Sequence, residues 1–188
     1  MNKKLYLLIL SDIFILSSFG LIAPIFAIFI ISDLAGGSIF TAGLATTIFL
    51  SVKSITQLPL SKYFIDKQKH KTRLLVFGTF LIILVPIIYF FSKNVYEIFL
   101  AQIIYGFGAA LAYPTWFTLF TTYIDKKHKG FEYAIWSTGV GIGTAVAAFL
   151  GAGIASLVGF DYLFLSVGFI AFLGFLLLII LNKIESKK

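Results

Sequence analysis

Long apolar runs, broken only by short polar or basic stretches, are the dominant pattern of the chain. A helix needs roughly 20 predominantly apolar residues to cross a bilayer. That yardstick predicts six helices, over about 5–31, 38–61, 72–91, 95–124, 131–158 and 162–182. Three of the connections are very short: 32–37, 92–94 and 159–161. No stretch is long or polar enough to form a soluble domain, so the expectation is one membrane domain over residues 1–188.

Charge gives the orientation. Thirteen of the 15 Lys and Arg residues fall in four segments, Lys3–Lys4, Lys62–Arg73, Lys126–Lys129 and Lys183–Lys188. Six spans put all four segments on one side, and positive loops stay cytoplasmic, so both termini are expected inside a plasma (inner) membrane. Lys93 is the only base expected outside, and Lys53 falls inside the second run. The composition agrees: 60% of residues are hydrophobic, 18% are aromatic and mean hydropathy is +1.01. A soluble domain of this size cannot hide that much apolar surface, so lipid must be the solvent. The first run is too long for a signal-peptide core and lacks a small-residue cleavage site, so it reads as a retained helix. The fold class expected is therefore all-α, a polytopic membrane protein with six transmembrane helices.

Several chemistries are excluded. The absence of cysteine removes disulfides and thiolate metal sites. His70 and His128 both lie in basic loops, so no span offers a serine–histidine pair or an H-E-x-x-H zinc motif. No phosphate-binding G-x-x-x-x-G-K-[ST] loop occurs. No enzyme, cofactor or metal is expected. The net charge of +7 resides in loops beside the membrane, where anionic lipid and the orientation rule account for it, so no nucleic-acid partner is expected either. The glycines of 106–108 and 139–153 lie in apolar helices, where glycine permits close helix packing.

Two charges within the runs stand out, because an Asp or Lys at a helix centre costs about 2.5–3.5 kcal/mol on insertion scales. Asp12 and Lys53 each lie roughly 10–15 Å from the inner surface, at similar depth on consecutive helices. An Asp12–Lys53 ion pair would offset both costs. Asp12 would then carry a proton or ion with Lys53 tuning it, or Lys53 would contact an anionic substrate. The plainer alternatives are a purely structural pair, or a snorkelling Lys53 with Asp12 bonded to Ser11 or Ser51. Gln102, Tyr105, Tyr113 and Trp116 are the polar and aromatic residues of the fourth helix that could line a cavity, with Pro114 freeing a carbonyl nearby.

Four motifs occur in order along the chain. The loop Pro59–Lys71 carries Asp66, Lys67 and Lys71 in a pattern similar to G-x-x-x-D-R-x-G-R-[RK], with Lys62 and Lys69 where glycines are expected. Tyr105-Gly106-Phe107-Gly108-Ala109-Ala110 is similar to Q-G-x-G-A-A. Residues Gly143–Ala152 are similar to G-x-x-x-G-P-x-x-G-G, with Ala147-Ala148 replacing Gly-Pro. Gly159-Phe160-Asp161-Tyr162-Leu163-Phe164 fits G-[FW]-x-x-[LF]-F. Together they resemble the first six-helix half of the major facilitator superfamily, in its drug/proton-antiporter-like branch. Gln102 departs from that branch, which often carries arginine near this position.

The resemblance implies a half built from two three-helix repeats. It also implies secondary-active transport of a small solute by alternating access, with no cofactor. Asp66, Lys67 and Lys71 would form a gating loop, Asp66 facing the start of helix five of the other half near Phe131. Family members have two halves, so the expected partners besides the lipid bilayer and a small-molecule substrate are a second copy or a separate six-helix half. Gly139, Gly143, Ala147 and Gly151, spaced along one face of helix five, are the expected helix-packing and dimer face. The rival readings are a substrate-binding membrane subunit of a multi-component importer and a non-transporting or truncated remnant.

Overall fold

The computed structural model describes residues 2–186. Lys187 and Lys188, counted above in the last basic segment, lie outside them. The described chain forms seven α-helices: α1 Lys3–Gly20, α2 Phe26–Asp33, α3 Ile39–Leu60, α4 Lys71–Phe91, α5 Val95–Tyr123, α6 Lys129–Val158 and α7 Phe160–Ser186. Helix α3 runs on through a π-helical turn, Ser61–Ile65. Five segments are long and apolar enough to cross a membrane: Ile39–Ile65, α4, α5, α6 and α7.

The expected first span over 5–31 is two helices, which corrects that reading. Pro24 has no N–H to donate, and its ring clashes with the carbonyl four residues back. The helix tightens before it stops, with Leu21 N donating to Ser18 O at 3.2 Å and Ile22 N to Phe19 O at 3.2 Å. Pro59, Pro86 and Pro114 remain inside helices, as neighbouring helices and hydroxyl side chains allow in membrane proteins.

Polar side chains set the starts of α3 and α5. Ser38 caps α3 in a reciprocal box with Thr41. Asn94 caps α5, its Oδ1 accepting from Tyr96 N and Glu97 N while Glu97 Oε2 accepts from Lys93 N. Gly159, at φ +92°, is the single residue joining α6 to α7. A side chain with a Cβ is strained in that conformation.

Helix neighbours follow a repeating pattern. Helix α1 packs on α6 and α7, α5 packs on α3 and α4, and α4 packs on α7. Exchanging α1 with α5, α3 with α6 and α4 with α7 leaves this set of contacts unchanged. The pattern leaves α3 and α6 at the ends of the row. Only 11% of the most apolar stretch of each is buried, against 44% in α4, 56% in α5 and 33% in α7.

The small-residue face of α6 is used for close packing within the chain. Gly139, Gly143, Ala147 and Gly151 pack against α1 of the same chain. A Cβ added at Gly139 would meet Ile13, one at Gly143 would meet Ser17, and one at Gly151 would meet the Leu21 backbone. Gly20 of α1 reciprocates against Thr144. Four-residue spacing identifies a face for close approach but not the helix that fills it. A different small-residue row, Gly141, Ala145, Ala148 and Ala152, points away from α1. Gly141, Ala145 and Ala152 are exposed, and a Cβ on Gly141 would meet nothing within 4 Å.

Candidate functional site

Asp12 lies on α1 where α5 and α6 approach it. Trp136 Nε1, from α6, donates to Asp12 Oδ2 at 2.7 Å. Trp136 lies 4.9 Å from Trp116 of α5, ring centre to ring centre, and Trp116 stacks on Phe120 at 4.9 Å. Trp116 Nε1 in turn donates to Leu8 O at 3.4 Å. Asp12, Tyr113, Trp116 and Thr79 share the lining of a small cavity of about 20 Å³. The carboxylate therefore sits in an aromatic setting with one indole donor.

Lys53 of α3 approaches the same place from the other side. Its Nζ lies 4.6 Å from the centre of the Tyr113 ring, within the range of a cation–π contact. Tyr113 thus neighbours both charges, sharing the cavity lining with Asp12 and its ring face with Lys53. The ion pairs among the described residues are Lys4–Glu185 and Asp125–His128, and neither Asp12 nor Lys53 belongs to them. Ser11 Oγ bonds to Leu8 O instead of Asp12. Asp12 and Lys53, expected at one depth, form no ion pair, and each has an aromatic neighbour instead.

A second cleft opens beside the break in α1. It has a volume of about 180 Å³ and is lined by Phe19 and Phe26, Phe49 of α3, Tyr89 of α4, and Gln102 and Tyr105 of α5. Gln102 is buried, and its Nε2 donates to Tyr89 Oη at 2.7 Å. Tyr105 stacks on Phe49 at 4.3 Å and on Phe19 at 5.0 Å. Of the four cavity candidates on α5, Gln102 and Tyr105 line this cleft, while Tyr113 and Trp116 line the Asp12 cavity.

The loop after α3 is structured by its bases. Lys71 Nζ donates to Ile65 O at 2.6 Å, capping the π-helical turn. Lys67 and Lys62 lie 5.7 Å and 5.6 Å from the Tyr63 ring centre. Asp66 is exposed and forms no ion pair among the described residues. In the loop between α5 and α6 the Lys127 amide and the His128 ring hold the Asp125 carboxyl below the usual carboxylate range. Glu132 is buried and accepts from Asp125 N at 2.8 Å.

Sequence reasoning missed two features. One is Trp136, which sat unremarked in an apolar run. The other is a polar network where ends of α1, α4, α5 and α7 meet. Glu185 Oε1 pairs with Lys4 Nζ at 3.2 Å and accepts from Tyr123 Oη, while Glu185 Oε2 accepts from Thr72 Oγ1 at 2.9 Å. Four helices, α1, α4, α5 and α7, meet at this one carboxylate. A lone acid at the end of an apolar helix was the available signal.

Comparison with known proteins agrees with the helices and motifs. A family model of the Major Facilitator Superfamily matches residues 8–188. No curated protein matches the chain. With membrane-crossing helices, two polar or aromatic clefts between them and a family match over nearly its whole length, this multi-pass membrane protein belongs to the major facilitator superfamily, a family of transporters.

Proposed function

We propose that this chain moves a small solute across the plasma (inner) membrane by alternating access, using Asp12 as its proton- or ion-carrying group. The observation that carries the reading is the Trp136–Asp12 hydrogen bond, which ties the coupling carboxylate to α6. Protonating Asp12 weakens the acceptor of that bond and removes a charge that is costly in the membrane. A change in protonation therefore alters how α1 holds α6. Lys53 sits across Tyr113 on α3, the other sparsely packed helix, and its field acts on the same cavity.

In this reading α1 and α2 are two parts of one broken crossing, so the domain has six crossings with both termini cytoplasmic. The interchange of α1 with α5, α3 with α6 and α4 with α7 supports two three-helix repeats of opposite topology. A second six-helix half completes the pathway, and a second copy of this chain can serve. Parallel copies share a two-fold axis along the membrane normal. The exposed flanks of α3 and α6 support this, with Gly141, Ala145, Ala148 and Ala152 as the small-residue row for close approach. The Asp66 loop gates the inner side between the halves.

The absence of cysteine makes a direct test available. Thr46 lines the cleft beside the α1 break. In proteoliposomes, a Thr46→Cys variant should react with an impermeant external maleimide several-fold faster under one direction of the pH gradient than under the other. Adding Asp12→Asn should remove that difference. Equal rates in both directions with Asp12 intact would refute proton-gated alternating access.

A further inference from the structure

We infer that the cleft beside the break in α1 binds a flat, uncharged aromatic solute that carries a hydrogen-bond donor next to an acceptor. The inference rests on the transport reading for its role and on the cleft itself for its chemistry. No Asp, Glu, Lys, Arg or His lines the cleft. A charged solute would lose its hydration there without a counter-ion, a cost that paired or metal-bound charges avoid. Asp12 and Lys53 line or border the other cavity and do not contribute to this one.

The walls are shaped for a ring. Tyr105 is inclined to Phe49 by 27° and to Phe19 by 23°, so rings from α5, α3 and α1 lie close to parallel. Offset stacking between such rings is favourable beyond the area it buries. About 180 Å³ of open space adjoins this stack, enough to admit one flat group along it.

Gln102 supplies the polar selectivity. A carboxamide has four hydrogen-bonding positions, two donors and two acceptor lone pairs. Gln102 is 4% exposed, yet its only hydrogen bond among the described residues is the one to Tyr89. Gln102 Oε1 is not among the buried side-chain atoms without a partner, and the residue lines the cleft, so the oxygen keeps access to it. That oxygen offers an acceptor at the cleft. The Tyr89 hydroxyl already accepts from Gln102, so its own proton is available to donate. Acceptor and donor lie side by side, matching a lactam, amide or hydroxy-aryl edge. The Gln102–Tyr89 bond also joins α5 to α4, and the free oxygen of the carboxamide is what remains for a solute.

The test is equilibrium binding to the protein in nanodiscs, with no pH gradient and with partition into empty nanodiscs subtracted. The probes share one bicyclic shape: neutral 2-quinolinone, cationic N-methylquinolinium and anionic quinoline-2-carboxylate. The neutral lactam should bind saturably and more tightly than either ion. Gln102→Leu should weaken it about tenfold, the scale of one or two hydrogen bonds. Tyr89→Phe, which keeps the ring, should weaken it less, and it carries the test if the leucine variant fails to fold. Equal lactam binding by wild type, Gln102→Leu and Tyr89→Phe, or preference for either ion, would overturn the inference. Lactam binding without gradient-dependent labelling of Thr46→Cys would leave this site standing and sink the transport reading; the reverse result would sink the site alone.

Discussion

Adding a leucine to α6 should have opposite consequences at Gly143 and at Gly141, two residues apart. At Gly143 the first added carbon already meets Ser17, with Ser17 Cβ at 3.3 Å and Ile13 Cγ2 at 3.7 Å. The rest of a leucine side chain then has no room unless α1 moves. Overpacking of this kind costs about 1–3 kcal/mol, which is about 5- to 150-fold in the folding equilibrium. At Gly141 the same carbon meets nothing within 4 Å. Leucine is also the better helix former, by up to about 1 kcal/mol over glycine, so the isolated chain should be as stable or slightly more so. The assay is unfolding of the detergent-solubilised protein by increasing mole fractions of sodium dodecyl sulfate, followed by tryptophan emission. The chain has two tryptophans, and both lie at the junction of α1, α5 and α6. Gly143→Leu should shift the midpoint to lower dodecyl sulfate and change the native emission. Gly141→Leu should do neither, and should instead abolish any association between copies. If Gly143→Leu left both midpoint and emission unchanged, the assignment of this face to α1 would be wrong.

Three further outcomes follow from other contacts. A double-mutant cycle on Asp12→Asn and Trp136→Phe should give a coupling of about 1–2 kcal/mol in the same unfolding assay, the upper part of the range for hydrogen bonds inside membrane proteins because the acceptor is a carboxylate; additive effects would contradict the bond. Replacing Glu185 with Ala should destabilise the helix ends that meet at this carboxylate by about 1 kcal/mol, since the group is partly exposed. Hydrogen exchange should then quicken in the first turns of α1 and α4 and the last turn of α7, and no change there would show that the network does not hold those ends. Replacing Pro24 with Ala restores an amide where proline costs about 3 kcal/mol in a helix interior. Amides of residues 21–25 should exchange more slowly as α1 and α2 join; unchanged exchange would mean that the break has another cause.

Much of the architecture was legible because apolar run length reports directly on membrane crossing. The expected 38–61, 72–91 and 95–124 differ from α3, α4 and α5 by one residue at any end. The expected starts of 131 and 162 fall two residues inside α6 and α7, because helical geometry continues past the apolar run into Lys129–Gly130 and Phe160–Asp161. The break in α1 was missed although Pro24 was in plain view, since hydropathy counts proline's neighbours and not the lost hydrogen bond. The sites were less legible for a different reason. Periodicity places Gly143 on a face of α6 and Asp12 at a depth in α1, but neither says how adjacent helices are rotated about their axes. That rotation decides that Gly143 meets Ser17, that Trp136 reaches Asp12, and that Lys53 meets the Tyr113 ring and not the Asp12 carboxylate.

If a second six-helix half completes the pathway, the mass of the purified protein in nanodiscs should reveal it. Native mass spectrometry should find two copies of the 20.8 kDa chain as the dominant species, reduced to one by Gly141→Leu. A strict monomer, with no second six-helix protein bound, would contradict the account.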